Sequence, residues 1–182
     1  FFNDSAFDIA PENAQIFRYA TSLGIQFSNA WGNHFLPNSG YFRLENKHAV
    51  LIGDVAKIGP DYLPSHAHAD TLSFELSIFG QRLIVNSGTS EYGVSKERSR
   101  QRGTPAHSTL TVNHANSSQV WSGFRVGMRA NPGKVDFQKL GNSIMVSGSH
   151  DGYKTEPGSP IHYRKWLLGS NFLLIKDTVI GD

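Results

Sequence analysis

The sequence contains no cysteine, which excludes disulfide bonds and thiolate metal sites. Any metal would have to be bound by histidine, aspartate, glutamate or asparagine side chains. No apolar run approaches the roughly 20 residues needed to cross a bilayer, and no basic segment followed by an apolar one begins the chain. The formal net charge of +2 is too small to indicate a nucleic-acid-binding protein.

The residues that are present favour β-structure. The 182 residues include 18 glycines and 12 phenylalanines, and are enough for one domain with a substantial core. From residue 39 onward, short apolar runs alternate with Gly, Asn, Pro and Ser. We expect a mainly β domain, an antiparallel double-sheet β-sandwich or jelly roll. The predicted strands are 41–45, 48–55, 71–79, 82–87, 108–113, 120–128, 134–139, 143–147, 162–168 and 172–180.

Residues 1–37 follow a different pattern, which predicts one helix and a linker. Pro11 and Glu12 suit the first turn of a helix, and Gly24 suits its end. Several apolar residues between them fall on one face: Ile16, Phe17, Ala20 and Leu23. Such a lone helix would pack as an outlier or belong to a helical domain absent here. Residues 29–38 are predicted to be a linker.

The most distinctive stretch is residues 64–70, which runs into the predicted strand 71–79. In an extended backbone, His66, His68 and Asp70 would project from the same face, because side chains alternate every two residues. Three potential metal ligands or proton carriers would then lie together. For a His-x-His pair alone, a polar turn with hydrogen-bonded histidines is the more common arrangement.

The clearest local prediction is a β-hairpin that turns at Gly80. Its register decides where Asn86 points. An odd-length connection with Gly80 in a left-handed bulge would pair Phe74 with Asn86, whereas an even one would turn Asn86 away from that face. In both cases His68 reaches Asn86 only if residues 66–73 bend back, because six extended residues span roughly 20 Å.

Four sequence blocks point to a known family. The blocks are PSHAHADTLSFEL at 64–76, LIVNSGT at 83–89, TPAHSTL at 104–110 and WSGFR at 121–125. Together and in this order they resemble the C-terminal sheet domain of the heparinase II/III-like polysaccharide lyases.

The resemblance also implies a domain division. Residues 1–37 resemble the end of the family's helical toroid and its linker, which would explain the lone helix. Residues 38–182 would then form the sheet domain. The last predicted strand is followed by no obvious closing element, so the sheet could continue beyond residue 182.

The resemblance implies β-elimination on uronic-acid polysaccharides such as glycosaminoglycans or alginate. This reaction needs a group that neutralises the carboxylate, a base for the proton on the neighbouring carbon, and an acid for the departing oxygen. In the family, a histidine or tyrosine serves as base or acid, partly from the toroid. His66 would line the catalytic cleft, and Tyr92 lies where some members place a proton-carrying tyrosine, although an ordinary turn tyrosine is the alternative. Without the toroid, this chain alone is expected to be inactive.

The family pattern further implies a zinc site formed by His68, position 86 and His107. Position 86 is usually aspartate in the family but is Asn86 here, and a neutral amide is a poorer zinc ligand than a carboxylate. Three outcomes remain open at this point. The site could bind zinc more weakly, Asp70 could substitute as a ligand, or the histidines could hold the loop by hydrogen bonds without metal.

A row of basic residues precedes His107. Arg98, Arg100 and Arg102 alternate with other residues, beginning from Lys96. On an extended segment they would form a one-sided cationic row that could pair with sulfates or carboxylates. A solvated loop is the alternative. Arg125 matches the fourth family block and completes the predicted substrate-binding arginines.

Two other functions stay open. A non-catalytic carbohydrate-binding or structural β-sandwich would have the same fold. A cupin-like metal protein fits less well, because Leu72 and Ser73 stand where a cupin has its glutamate. The expected partners are an anionic polysaccharide and the missing N-terminal helical domain, with no nucleic acid and no membrane span. The expected location is the bacterial periplasm, the cell envelope or outside the cell.

Overall fold

The structure, a computed structural model, describes residues 2–26 and 32–182. The predicted linker at 29–38 therefore lies partly outside the described residues. Within them, eleven strands form two larger antiparallel sheets and one small hairpin. The first sheet contains, in spatial order, β1 (His34–Leu36), β2 (Tyr41–Glu45), β3 (Ala49–Asp54), β4 (Phe74–Ile78) and β5 (Gln81–Ile84). The second contains β11 (Leu173–Ile180), β10 (Ile161–Leu168), β9 (Ser143–His150) and β8 (Asp136–Leu140), and the hairpin contains β6 (Val120–Trp121) and β7 (Arg125–Val126).

The two larger sheets bury one face each and share a single core. Alternate residues of β2 and β10 point inward, as the strand period requires. The ring of Phe42 on β2 meets that of Trp166 on β10 edge to face, with centroids 4.9 Å apart. The buried core residues are Phe42, Leu44, Ala49, Leu51, Val55, Leu72, Phe74, Leu76, Val146, Trp166 and Leu168. The predicted mainly β, double-sheet sandwich is confirmed.

The predicted N-terminal helix is also confirmed, as α1 (Asn13–Ser22). Glu12 and Gln15 form a capping box at its start, in which the Gln15 side chain accepts from the Glu12 N–H at 3.1 Å. None of its residues is buried, and Ile16 and Phe17 are 48% and 54% exposed. Among the described residues, no helix has the length and apolarity to span a membrane.

The hairpin between β4 and β5 has an even, two-residue turn and, further along, a bulge. Phe79 and Gly80 have φ values of 51° and 75°, which is the two-residue turn typical of tight hairpins. A register shift next to Leu76 then brings that residue opposite Ile84. Continuing this register places Asn86 at the level of Phe74. The turn itself has an even length, and the bulge adds one residue to the second strand, so that Phe74 and Asn86 become opposite each other as the odd-length connection would have placed them.

Three predicted strands differ in the structure. Residues 108–113 form a loop after the 3-10 helix η1 (Thr104–Ala106), because hydroxyl groups replace the backbone ladder there. The Ser108 hydroxyl accepts from the Phe74 N–H at 2.8 Å and also donates to the Phe74 carbonyl. The predicted strand 120–128 is broken into β6 and β7 by a turn at Ser122 and Gly123, which have φ values of 45° and 68°.

The third difference concerns the stretch that precedes β4. Regular strand structure begins only at Phe74, so residues 66–73 are a loop rather than part of an extended strand. Leu72, with a φ of 67°, turns the backbone inside this loop. The loop therefore bends back, which is the condition for His68 to approach Asn86.

Candidate functional site

Asp4, in the N-terminal segment, links the two histidines of the loop to helix α2 (Lys96–Arg102). Its Oδ2 lies 2.8 Å from His66 Nδ1, and its Oδ1 lies 2.8 Å from His68 Nε2. The Arg98 guanidinium also donates to both oxygens, with Nη2 2.8 Å from Oδ2. Asp4 could not be predicted from the sequence, because it lies 62 to 94 positions from its partners and belongs to none of the four blocks.

The Asp4 carboxylate is ionised at neutral pH. Burial alone would raise its pKa, but hydrogen bonds from His68, Arg98 and His66 outweigh burial and hold the pKa well below its ordinary value. An ionised carboxylate only accepts hydrogen bonds, so His66 Nδ1 carries a proton and donates it to Asp4. In the neutral His66 ring, Nε2 is therefore the nitrogen with the free lone pair.

His66 lies on the surface between two aromatic rings. Its side chain is 60% exposed. The ring centroids of Tyr92 and Phe124 are each 5.9 Å from that of His66, and 5.5 Å from one another. The Arg98 guanidinium lies beneath them, 5.3 Å from the Tyr92 ring centroid and 5.4 Å from that of Phe124. The sheet domain thus presents an accessible imidazole that is flanked by two aromatic rings, with the buried Arg98 guanidinium beneath the rings.

The structure brings His68, His107 and Asn86 together. The two imidazole centroids lie 5.3 Å apart, and His107 Nδ1 lies 2.9 Å from Asn86 Oδ1. Burial lowers the pKa of His68 despite its bond to Asp4. Burial and the neighbouring His68 lower the pKa of His107 to about 3. Both rings are therefore neutral at neutral pH, the state in which an imidazole binds metal.

Three nitrogens of this cluster have no hydrogen-bond partner in the described structure, although all are buried. They are His68 Nδ1, His107 Nε2 and Asn86 Nδ2. The opposite nitrogen of each histidine is oriented by an oxygen, of Asp4 or Asn86, as outer partners orient metal-binding histidines. The two free imidazole nitrogens fit zinc. The unpartnered atom of Asn86 is its amide NH2, which is a donor and not a metal ligand, and its Oδ1 already accepts from His107 Nδ1.

Asp70 does not complete the cluster. Across the described residues, no group of three or more His, Cys, Asp or Glu side chains is arranged to hold a metal ion. Burial, followed by the nearby Asp54 carboxylate, raises the pKa of Asp70 well above its ordinary value. A protonated acid is a poor metal ligand. The outcome in which Asp70 replaces the family's aspartate is therefore not supported.

The predicted one-sided cationic row is wrong, because residues 96–102 form helix α2. Ser95 caps its N-terminus by accepting from the Arg98 N–H at 2.9 Å. Residues four apart share a face of a helix, so Arg98 and Arg102 both point into the protein, where they are buried. Arg100 points outward and pairs with Glu97, with Nη2 2.6 Å from Oε1. The Ser95 cap was a signal in the sequence that favoured a helix.

Arg102 holds the histidine loop rather than a ligand. Its guanidinium donates to the carbonyls of Ala67, Trp121 and Arg125 at 3.1 to 3.3 Å. Its own carbonyl accepts from the Ala69 N–H at 2.8 Å. Burial lowers the pKa of Arg102 to about 10, so the group stays cationic at neutral pH. Two buried guanidinium groups, those of Arg98 and Arg102, thus lie behind the site.

Arg125 is a predicted substrate-binding residue that is exposed and, among the described residues, forms no ion pair. It is exposed and lies over the Trp121 ring, 5.1 Å from the centroid. Trp121 is itself 53% exposed. Both belong to the β6–β7 hairpin, whose turn carries Phe124 against His66. The hairpin therefore extends the surface around His66 with a second aromatic ring and a cation.

Residues 29–182 match the model of the family "Heparinase II/III-like, C-terminal". The chain belongs to this family. Membership agrees with the order of the four sequence blocks and removes the cupin-like alternative. No curated protein matches the chain.

Several solved structures share the fold. Heparan sulfate lyase HepC from Pedobacter heparinus has a TM-score of 0.74 and 21% identity, over 100% of this chain and 29% of that protein. A heparinase III structure has a TM-score of 0.72 and 20% identity, over 99% of this chain and 30% of that protein. A heparinase III gene product has a TM-score of 0.64 and 21% identity, over 94% of this chain and 25% of that protein. This chain thus spans less than a third of the length of each of these proteins.

Proposed function

We propose that this chain is the sheet domain of a polysaccharide lyase that acts by β-elimination on a uronic-acid-containing, anionic polysaccharide. The observation that carries the proposal is the exposed His66 imidazole, whose Nδ1 is held by the buried, ionised Asp4. Family membership supports the reaction class. The opposite wall of the cleft would come from the N-terminal helical domain, so this chain alone is expected to be inactive.

His66 is the proposed base. Its Nε2 lone pair would accept the proton from the carbon next to the uronate carboxylate, and the C–H electron pair would form the new C=C bond as the C–O bond to the leaving sugar breaks. Asp4 would stabilise the imidazolium that results, as a carboxylate does for a catalytic histidine elsewhere. The Asp4–His66 bond also keeps the ring in the tautomer that removes a proton rather than donating one.

Tyr92 is the proposed acid. Its ring borders that of His66, and it is 55% exposed. The phenolic O–H would give its proton to the departing glycosidic oxygen, and solvent would return the proton afterwards. His66 could then release its own proton to water, which restores both groups for the next cycle.

Positive charge near the site would stabilise the developing carbanion. Arg125 is exposed and free to approach the uronate carboxylate, and Arg100 is also exposed although it pairs with Glu97. Arg98 and Arg102 would act from beneath the surface, because both are buried, and among the described residues only Arg98 pairs with a carboxylate, that of Asp4, whereas Arg102 binds backbone carbonyls. A fixed, buried charge of this kind acts without reorganisation during the reaction.

Zinc remains part of the proposal. His68 and His107 would hold it through their free nitrogens. Asn86 would be a weak third ligand through Oδ1, which would have to leave its bond to His107 Nδ1. When bound, zinc would supply a fixed positive charge on the sheet side of the site. Without it, the same histidines fasten the loop through Asp4 and Asn86, and His66 keeps its position.

The test is formation of the unsaturated uronate product, measured by ultraviolet absorbance. Heparan sulfate, alginate and hyaluronan are offered separately to the protein that joins this chain to its helical domain, and to the chain alone. The proposal expects product from the longer protein with at least one polymer. Binding of a polymer without product in either protein would favour the alternative, a non-catalytic carbohydrate-binding sandwich. We further propose a location in the bacterial periplasm, the cell envelope or outside the cell.

A further inference from the structure

The outer face of the four-stranded sheet carries a basic groove that plays no part in the site above. The groove has a volume of about 400 Å³. Three exposed lysines line it together with four hydroxyl groups, and we call it the lysine groove: Lys134, Lys165, Lys176, Ser147, Ser149, Tyr163 and Thr178.

The strand register explains how these residues meet. Lys165 on β10 lies directly opposite Lys176 on β11, and Tyr163 lies opposite Thr178 on one side and Ser149 on the other. Tyr163 and Lys165 are two residues apart and so share the outer face, whereas Arg164 between them is buried. The groove residues on β9, β10 and β11 are therefore placed by the sheet itself, and Lys134 lies just before β8.

The lysines of the groove lack carboxylate partners. In the part of the chain that the structure describes, none of the three forms an ion pair. Asp177 is next to Lys176 in sequence, but its carboxylate binds Arg164 on the opposite side of the sheet, with Oδ1 2.6 Å from Nε. Asp136 lies opposite Ser147, two strands or about 10 Å from Lys165. The groove thus holds three lysines without an ion pair, and the Asp136 carboxylate lies on the same face, two residues from Lys134.

The Lys165–Lys176 pair makes this arrangement costly for the fold. Like charges directly opposite each other on neighbouring strands destabilise a sheet. A ligand that supplies negative charge would relieve this repulsion. The hydroxyl groups that line the groove could hydrogen-bond to the same ligand. Lys134 and Lys176 lie at opposite ends of the groove. Three strand spacings and one two-residue step along a strand separate them, which gives a distance of about 16 Å. That distance suits a polymer with repeated negative charges.

We propose that the lysine groove binds a strand of carboxylated or sulfated polysaccharide, at a site separate from the His66 site. The choice of polysaccharide over other polyanions rests on the proposed function. It agrees with the groove itself, since hydroxyl groups of Ser149, Tyr163 and Thr178 can pair with sugar hydroxyls. A single aromatic ring, Tyr163, lines the groove, whereas single-stranded nucleic acid is held by a series of stacking rings. The groove would keep the enzyme on a long polymer between cleavage events.

The test compares two double variants with equal loss of charge. Lys165→Ser with Lys176→Ser removes the pair in the groove. Lys47→Ser with Lys57→Ser removes two exposed lysines elsewhere and serves as the matched control. The dissociation constant for long-chain heparan sulfate is measured by calorimetry at low salt, because salt screens exposed charges. We expect at least a fivefold loss of affinity for the groove variant and less than a twofold loss for the control.

Equal losses in the two variants would overturn the proposal, since bulk charge would then account for binding. So would an equal loss of affinity for single-stranded DNA of matched charge, because the groove would not be selective for polysaccharide. Thermal unfolding checks the fold, and removing the lysine pair should leave the melting temperature unchanged or higher.

Turnover separates this proposal from the proposed function. In the longer protein, the groove variant should raise KM for long polymer and leave kcat on a short oligosaccharide unchanged. An unchanged KM for long polymer would count against the groove, whatever the rate. If no polymer is cleaved by the unaltered protein, the proposed function fails while the binding comparison still decides whether the groove holds polysaccharide.

Discussion

Replacement of Asp4 by asparagine tests the link between the N-terminal segment and the site. The variant keeps the size of the side chain but removes the negative charge that faces Arg98, whose side chain is fully buried. Breaking a buried ion pair costs about 3 to 5 kcal/mol. We expect the lower end, about 3 kcal/mol, because Arg98 keeps the Gly123 carbonyl and the Thr89 hydroxyl as acceptors, at 3.0 and 2.9 Å.

Thermal and urea unfolding measure this loss. For a chain of this size, about 3 kcal/mol corresponds to a fall in melting temperature of roughly 6 to 12 °C. Asp8→Asn is the matched control, since Asp8 is an exposed acid in the same segment and should shift the midpoint by less than about 1 °C. In the longer protein, Asp4→Asn should also lower kcat by roughly 10²- to 10⁴-fold, because the amide no longer fixes the His66 tautomer. A midpoint as little changed as that of the control would show that the Asp4–Arg98 pair does not stabilise the fold.

Four further results are expected. His66→Ala should abolish turnover in the longer protein and leave the melting temperature within about 1 °C, because the side chain is exposed. Phe74→Ala should lower the free energy of unfolding by about 3 to 5 kcal/mol in urea, since the ring is buried in the core. Asn86→Asp should raise zinc affinity at least tenfold in a competition titration, and an unchanged affinity would remove zinc from the account. Stability measured against pH should fall on acidification below about 3.8, because the folded pKa of Asp4 is depressed and the unfolded chain binds its proton first. Between about pH 6.5 and 4, the lowered pKa of His107 and the raised pKa of Asp54, about 7, act in opposite directions, so no net fall is expected there. A stability that stays constant or rises below pH 3.8 would contradict the role given to Asp4.

Local patterns were sufficient for much of the fold. The strand predicted at 41–45 is β2, since alternation of aromatic and aliphatic residues with polar ones is unambiguous there. The segment 96–102 shows the limit of such patterns, because strictly alternating charge has no apolar period to separate a strand from a helix. The strand predicted at residues 108–113 was wrong for another reason. The apolar residues there suited a strand, but hydrogen bonds between the Ser108 hydroxyl and the Phe74 backbone take the place of strand pairing.

The site was partly predictable, because several of its residues lie in the sequence blocks that resemble the family. The resemblance to the family singled out His66, His68, Asn86 and His107, and the structure groups the last three. The contact between Asp4 and His66 joins residues 62 positions apart. No periodicity or spacing marks such a pair, because only the folded backbone brings the N-terminal segment against the loop. The partner that orients the proposed base therefore emerged from the structure alone.

The most direct test is the initial rate of unsaturated uronate formation by the longer protein, with and without His66. We expect a loss of at least 10³-fold in kcat for His66→Ala on the preferred polymer, with polymer affinity unchanged. His34→Ala, at an exposed position on β1, should keep the original rate. An unaltered rate in the His66→Ala protein would show that this imidazole does not remove the proton.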